Sequence, residues 1–239
     1  MKRTAKPFLY VAMDFMEEDQ MLYWAEKFAL VEGNLGFKIN DDYLNKYTAE
    51  RAVNELKGFH RRIFADKKMF KGVRRMINSA LELSTIGGVE FTNVFALVGQ
   101  KMLSKVVNGV QGSGIDILAL TILTHMDENY CQQMFCRSLS EAVRMFAQIA
   151  KDAECHGIIL PGAYLKDVED FDLIKVVPGI RPKQYQGGKA NPQSQKVTHG
   201  QAVRDGADIL IAGSPVFDTK NPVDSLKRIL EEMDNNIGK

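Results

Sequence analysis

The chain alternates short apolar runs with amphipathic segments of helical length, and no other feature constrains its fold as strongly. Eight runs suit buried strands, at residues 8–13, 35–39, 62–65, 89–95, 115–123, 157–160, 173–177 and 207–212. Helical patterns lie at residues 18–31, 41–56, 71–84, 97–107, 138–155, 198–205 and 222–233. Because each parallel crossover needs a covering helix, repeated βα units predict a parallel sheet. Eight units without a linker favour one (β/α)8 domain, a TIM barrel over residues 1–239, rather than an open doubly wound sheet.

Polar residues and glycines fall at or just beyond the carboxyl ends of several predicted strands. They are Asp14, Lys38, Asp66, Thr124, Pro178, Gly179 and Gly213. This end of a parallel barrel is where barrel enzymes build their sites. Polar residues can also simply mark the ends of strands, which explains any one of these positions but explains the whole set less well.

The third predicted strand runs directly into a charge cluster at Asp66, Lys67, Lys68 and Lys71. Taken alone, the cluster fits a strand that reaches solvent with lysines beginning the next helix. It also fits a site, because a carboxylate beside a lysine favours the protonated amine and fixes its position.

The longest irregular stretch covers residues 178–196 and contains three prolines, two adjacent glycines and four basic residues. A loop of this length within a compact domain is usually a lid or a disordered excursion. Its composition suits a mobile cover over an anion. After the last strand, Gly213 and Ser214 could offer backbone N–H groups to a phosphate.

The chain's overall charge predicts neither nucleic acid nor membrane as a partner. Lys and Arg number 31 against 30 Asp and Glu, so an anionic ligand needs a local site. Three cysteines without zinc-like spacing indicate free thiols in a reducing compartment. No apolar run approaches the roughly 20 residues that span a bilayer, and the basic N-terminus lacks a signal-peptide core, so we expect a cytoplasmic protein.

These residues resemble the orotidine 5′-monophosphate decarboxylase family over nearly the whole chain. The matching segments are residues 11–14, 37–39, 65–68, 118–124, 177–182 and 206–215. The Pro-Gly-Ile-Arg-Pro segment at 178–182 and the Leu-Thr-Ile-Leu-Thr segment at 120–124 are fairly specific together. The resemblance implies a (β/α)8 barrel, a homodimer with sites at the shared face, a nucleotide monophosphate as ligand, and no metal or organic cofactor.

The resemblance also implies residue roles. Asp14 would hydrogen-bond ribose hydroxyls, Lys38 and Asp66 would order a charge network, and Lys68 would protonate the carbon that loses CO₂. The remaining candidates are substrate-binding residues: Thr124 and His125 beside the pyrimidine, Gln193, Gly213 and Ser214 near the phosphate, and Pro178, Gly179 and Ile180 of the proline-glycine segment.

The chain departs from the family's pattern at several of these positions. The family motif reads Asp-x-Lys-x-x-Asp, and its last aspartate reaches into the partner subunit's site, whereas this chain has Lys71 there. A lysine beside a substrate carboxylate stabilises the ground state and slows the chemical step. Arg74 and Arg75 replace Asn and Thr, His125 replaces a serine, and Ser214 replaces the phosphate-binding arginine, for which Lys183, Lys189 or Lys196 could substitute.

Three hypotheses follow from the matches and departures together. The chain is an orotidine 5′-monophosphate decarboxylase with an altered charge network, or a barrel enzyme for another phosphorylated substrate, such as a sugar-phosphate decarboxylase or aldolase. The third hypothesis is a nucleotide-binding protein that has lost catalysis. Asp14, Lys38 and Lys68 favour the first two hypotheses, whereas Lys71 and Ser214 favour the third.

Overall fold

Within residues 6–14, 16–59, 62–181 and 197–238, which the computed structural model describes, eight parallel strands close into a barrel. Each strand pairs with the next along the chain, and the eighth pairs with the first. The strands β1 to β8 are Phe8–Ala12, Leu35–Asn40, Arg62–Met69, Val89–Phe95, Asp116–Leu120, Gly157–Ile159, Ile174–Val177 and Ile209–Ala212. The predicted (β/α)8 barrel is confirmed.

Helices cover the outside of the barrel. In order, α1 to α10 are Glu18–Ala29, Asp41–Lys46, Ala49–Lys57, Val73–Ile86, Gln100–Gly109, Glu128–Phe135, Leu139–Asp152, His199–Arg204, Ser214–Phe217 and Pro222–Asp234. A capping box begins α7, because the Ser138 hydroxyl accepts from the Glu141 backbone N–H and the Glu141 carboxylate accepts from the Ser138 backbone N–H. Among the described residues, no helix is both long and apolar enough to cross a membrane.

Several predicted elements differ from the structure. The helix predicted at 41–56 is two helices, because Thr48 leaves the helical conformation with φ +63° and caps α3 through its side chain. The helix predicted at 97–107 is a short 3₁₀ turn, Ala96–Val98, and then α5, separated by Gly99 at φ +83°. Helices α6 and α9 were not predicted. Between β6 and β7, two 3₁₀ turns, Gly162–Tyr164 and Lys166–Val168, take the place of the expected covering helix.

The third strand is longer than its apolar run, which ends at Ala65. It continues through the charge cluster to Met69, and α4 begins only at Val73. The interpretation in which lysines begin the next helix is therefore wrong for Lys67 and Lys68, which lie in the strand.

The barrel interior is filled by aromatic and aliphatic side chains at alternate strand positions. Tyr10, Phe64 and Phe91 pack edge-to-face near its centre, with ring centroids 5.8–6.4 Å apart. The Tyr10 hydroxyl donates to a Glu90 carboxylate oxygen at 3.0 Å. Burial, with the neighbouring Glu90 charge, raises the pKa of Tyr10 far above its usual range. These rings form a closed floor, which we call the aromatic floor, below the carboxyl ends of the strands.

Gly36 of β2 lies in a crowded part of this interior, and we expect Gly36→Ala to lower the free energy of unfolding by about 1–3 kcal/mol. A Cβ at this position would lie 2.5 Å from the Arg62 carbonyl oxygen and 2.9 Å from the Tyr10 ring. Urea unfolding measures the change, with Gly58→Ala as the control, because a Cβ at Gly58 meets only ordinary contact at 3.6 Å. Equal midpoints for the two variants would contradict the expected crowding.

Candidate active site

A cavity of about 830 Å³ opens at the carboxyl ends of the strands. It brings together most of the candidate residues taken from the sequence: Asp14, Lys38, Asp66, Lys68, Thr124, His125, Pro178, Gly179, Ile180, Gly213 and Ser214 all line it. Lys71 is exposed beyond the end of β3 and does not line the cavity. Gln193 and most of the proposed lid at 178–196 lie outside the described residues, so their roles stay predictions.

The charged residues reach the cavity because of strand periodicity. Side chains two positions apart share one face of a strand. Asp66 therefore follows Phe64 on the inner face of β3, and Asn93 follows Phe91 on the inner face of β4. The charged residues Asp14, Lys38, Asp66 and Lys68, which we call the charged layer, therefore lie closer to the carboxyl ends of the strands than the aromatic floor does.

Lys38 lies at the centre of the charged layer and is almost completely buried, with 4% of its surface exposed. Its Nζ donates to both oxygens of Asp14, at 2.9 and 3.0 Å, and to Asp66 Oδ2 at 3.0 Å. Burial alone lowers the pKa of Lys38, but the charges of Asp66 and Asp14 outweigh burial and raise this pKa above its usual value. Lys38 is therefore a fixed positive charge between two carboxylates.

Asp66 joins the two lysines of the layer. Its Oδ2 accepts from Lys38 and, at 2.9 Å, from Lys68, while its Oδ1 accepts from Asn93 Nδ2 at 2.7 Å. Burial by itself raises the pKa of this carboxyl. The two ammonium groups and the Asn93 hydrogen bond outweigh burial and bring the pKa down to about 2. The charges thus alternate along Asp14, Lys38, Asp66 and Lys68.

Of these four charged residues, Lys68 is the most exposed to the cavity, with 35% of its side chain exposed. Its Nζ also lies 3.9 Å from Asp41 Oδ1 at the start of α2. A protonated amine held in this way can stabilise negative charge on a bound molecule and can also deliver a proton to it.

A bulge in β3 places Asp66 and Lys68 at the cavity. Ala65 pairs with Thr92 and Met69 with Val94, so three residues of β3 face one residue of β4, Asn93. Lys68 lies in the left-handed region at φ +41°, where a non-glycine residue is strained. Asn93 Oδ1 accepts from the Lys68 backbone N–H at 2.7 Å. Sequence reasoning missed Asn93, and its only signal was a polar residue two positions after the inward-facing Phe91.

The opposite wall carries Arg181, which the sequence prediction quoted in a motif but did not name as a site residue. Among the described residues, it is the one arginine on the cavity wall. Its backbone N–H donates to the Val197 carbonyl oxygen at 3.1 Å. Gly179, at φ +73°, and the Gly213–Ser214 turn at the start of α9 border the same wall. This wall therefore combines a guanidinium with compact backbone turns, which suits an anion.

The aromatic end of the cavity was also missed. Trp24 of α1 stacks on Phe28 with ring centroids 5.6 Å apart and contacts Phe217 of α9 edge-on at 6.0 Å. Trp24 and Phe217 line the cavity beside Gln20 and Asp218. Among the described residues, no group of three or more His, Cys, Asp or Glu side chains could hold a metal ion.

Comparison with known proteins gives a family match over most of the chain. The sequence model of the orotidine 5′-phosphate decarboxylase / HUMPS family matches residues 7–229. An orotidine 5′-phosphate decarboxylase of Streptococcus suis (strain 05ZYH33) is 30% identical over 93% of this chain and 95% of its own length. The protein of the same name from Aquifex aeolicus (strain VF5) is 33% identical over 83% of this chain and 84% of its own.

Solved structures give the same fold. The crystal structure of orotidine 5′-phosphate decarboxylase from Lactobacillus acidophilus has a TM-score of 0.78 and 24% identity, covering 96% of this chain and 99% of its own. That of the Sulfolobus solfataricus orotidine 5′-monophosphate decarboxylase has a TM-score of 0.70 and 18% identity. At these identities the likeness concerns the barrel.

The depressed pKa of Asp66 predicts a loss of stability in acid. The pKa is about 2 in the folded chain against an ordinary 3.8, so the unfolded chain takes up the proton first as the pH falls. The stabilisation is complete above about pH 5 and disappears between about pH 4 and pH 2, and it amounts to about 2 kcal/mol. Urea midpoints measured between pH 6 and pH 3 test this.

Asp66→Asn should make the acid dependence of these midpoints shallower. Asp42→Asn, which removes an exposed carboxylate of α2, is the matched control and should keep the wild-type dependence. The same slope in wild type and Asp66→Asn would show that Asp66 is not the group responsible.

Proposed function

The chain belongs to the orotidine 5′-phosphate decarboxylase / HUMPS family, and from this premise we propose that it converts orotidine 5′-monophosphate to uridine 5′-monophosphate and CO₂, with Lys68 as proton donor. The observation that carries the proposal is the cavity-facing Lys68 ammonium, which is held 2.9 Å from Asp66 within an alternating charge chain. We place the reaction in pyrimidine nucleotide biosynthesis and in the cytoplasm.

The chemistry requires such an ammonium. When the bond between the ring carbon and the carboxylate breaks, CO₂ leaves and its bonding electron pair stays on a carbon with little delocalisation. A nearby positive charge stabilises this pair as it develops, and the same amine then supplies the proton that forms the new C–H bond. Lys68 is left neutral and regains its proton from solvent.

Asp66, Lys38 and Asp14 form the charged surroundings of the Lys68 ammonium. Asp66 Oδ2 accepts from the Lys68 ammonium at 2.9 Å and limits where the ammonium can go. Lys38 is fully engaged by Asp14 and Asp66, so it neutralises the two carboxylates without competing for substrate. Asp14 is partly exposed, which leaves its carboxylate able to accept hydrogen bonds from ribose hydroxyls.

The remaining wall suits the two ends of the nucleotide. In this proposal Thr124 and His125, which follow β5, border the pyrimidine ring. Arg181, which belongs to the family-matching Pro-Gly-Ile-Arg-Pro segment, lies on the same wall and would bind the phosphate with Gly179 and the Gly213–Ser214 turn. Gln193 and a lid at 178–196 complete the phosphate site as further expectations.

Lys71 bears on the proposed homodimer. It is exposed outside its own subunit's cavity, at the position whose aspartate enters the partner subunit's site in related proteins. Phe70 and Leu97, which follow the ends of β3 and β4, are 59% and 51% exposed, and an apolar rim of this kind suits contact between subunits.

A second candidate function is a related reaction on another phosphorylated substrate. Lys71 and Arg74 support it, because these exposed cations beyond the end of β3 could pair with an anionic group that orotidine 5′-monophosphate lacks. The complete charge chain around Lys68 supports either reaction over a binding protein without catalysis.

Replacing the proposed proton donor tests the reaction directly. Lys68→Ala should lower kcat at least about 100-fold, because a positioned acid typically contributes that much or more. Loss of ultraviolet absorbance from orotidine 5′-monophosphate measures turnover, and binding of uridine 5′-monophosphate shows that the site persists. Lys67→Ala removes the neighbouring, half-exposed lysine outside the cavity lining and should stay near wild-type activity. Substantial turnover by Lys68→Ala would exclude Lys68 as the donor.

Lys71→Asp tests the family departure. An aspartate at this position disfavours the bound substrate carboxylate, so we expect turnover of orotidine 5′-monophosphate to rise about tenfold or more, chiefly in kcat. Lys227→Asp, an equal charge reversal at an exposed α10 position, is the control. An unchanged kcat in Lys71→Asp would mean that Lys71 does not face the reacting carboxylate.

A further inference from the structure

We propose that Asn93 is a positioning residue that sets where the Lys68 ammonium stands. The inference rests on the proposed function, because it concerns the same acid. Asn93 is buried, with 1% of its surface exposed, and it lines the cavity directly opposite the β3 bulge.

One amide group holds Lys68 in two ways. Asn93 Oδ1 accepts from the Lys68 backbone N–H at 2.7 Å, and Asn93 Nδ2 donates to Asp66 Oδ1 at 2.7 Å. The other oxygen of Asp66 binds the Lys68 ammonium at 2.9 Å. Asn93 therefore holds both the backbone of Lys68 and the carboxylate that binds the Lys68 ammonium.

The two contacts require a group that both donates and accepts. A carboxylate oxygen can only accept and a backbone N–H can only donate, so the group between them must donate on one side and accept on the other. Asparagine meets both demands in one orientation. Alanine meets neither, and an ionised carboxylate would bring a second negative charge against Asp66.

The bulge makes this hold necessary. Between Ala65 and Met69 the paired register with β4 is interrupted, so Asn93 supplies the partner that a regular ladder would give the Lys68 N–H. Lys68 is strained at φ +41°, and such a conformation persists only where its surroundings fix it. Without Asn93, relaxation of this residue carries the ammonium away from the cavity centre.

Thr92 provides a matched control on the same strand. Its hydroxyl donates to the Ala65 carbonyl oxygen at 2.9 Å and is fully buried, so it also ties β4 to β3. Unlike Asn93, it does not line the cavity and does not contact Asp66 or Lys68. Thr92→Val therefore removes a strand-to-strand hydrogen bond without touching the acid.

The kinetic experiment compares wild type, Asn93→Ala, Asn93→Asp and Thr92→Val with orotidine 5′-monophosphate from pH 5.5 to pH 9. Asn93→Ala should lower kcat about 10- to 100-fold with KM changed less than about threefold, since small misplacement of a reacting group costs this much. Thr92→Val should keep kcat and the pH profile of wild type, whatever it loses in stability. Wild-type kcat in Asn93→Ala overturns the proposal.

Asn93→Asp supplies a readout that a merely structural role would not move. The introduced carboxyl lies against Asp66, and two adjacent carboxylates cannot both ionise easily, so they share a proton. In this protonated form the new group donates to Asp66 and accepts from Lys68, as the amide does. Activity should therefore approach wild type at low pH and fall as the pH rises. A profile parallel to that of wild type overturns the proposal.

A structural readout separates this inference from the proposed function. Crystal structures of wild type and Asn93→Ala should differ by about 1 Å or more at Lys68 Nζ, the scale of misplacement that affects catalysis. If wild type does not turn over orotidine 5′-monophosphate but Lys68 moves, the proposed reaction fails and the positioning role stands. If wild type is active and Lys68 stays in place in Asn93→Ala, the positioning role fails alone.

Discussion

The structure depends on one shared carboxylate. Asp66 Oδ2 accepts from two ammonium groups, those of Lys38 and Lys68, which would repel each other at this separation if no anion lay between them. Each buried charge pays a desolvation cost of several kcal/mol, so the group is favourable only as a complete network. Asp14 balances the second lysine, and the charges of the four residues sum to zero. The bulge, the aromatic floor and the cavity all serve to hold this neutral cluster at the mouth.

The sequence predicted the barrel well, because strand and helix periods are local properties of the chain. It also predicted that Asp14, Lys38 and Asp66 would converge, because the carboxyl ends of parallel strands meet on one face. It could not predict the bulge at Lys68 or its contact with Asn93. That contact joins residues 25 positions apart and depends on the register between two strands, which no single-strand pattern encodes. Helix ends set by one residue, as at Thr48, were missed for a similar reason.

The structure shows where the residues that depart from the family pattern lie relative to the cavity. Ser214 removes a cation from the turn after β8, yet Arg181 places a guanidinium on the wall after β7. Arg181 belongs to a segment that matches the family pattern, so it is a cation shared with the family and not a replacement for the one lost at Ser214. Lys71 differs from Ser214 in position, since it lies outside the cavity of its own subunit. The effect of Lys71 on the reaction therefore depends on which groups of a partner subunit or ligand lie against it.

The aromatic floor lies below the charged layer, on the side away from the cavity mouth. Phe64 and Phe91 lie beneath Asp66 and Asn93, and below them burial and the Glu90 charge raise the pKa of the Tyr10 hydroxyl. In the part of the chain that the structure describes, the Tyr10 hydroxyl donates to Glu90, and the rings of Phe64 and Phe91 lie between this pair and the charged residues at the carboxyl ends of the strands. In the proposed reaction, Lys68 would therefore regain its proton by way of the cavity mouth. The bound nucleotide would leave through the same opening, so product release and restoration of the acid would share one route.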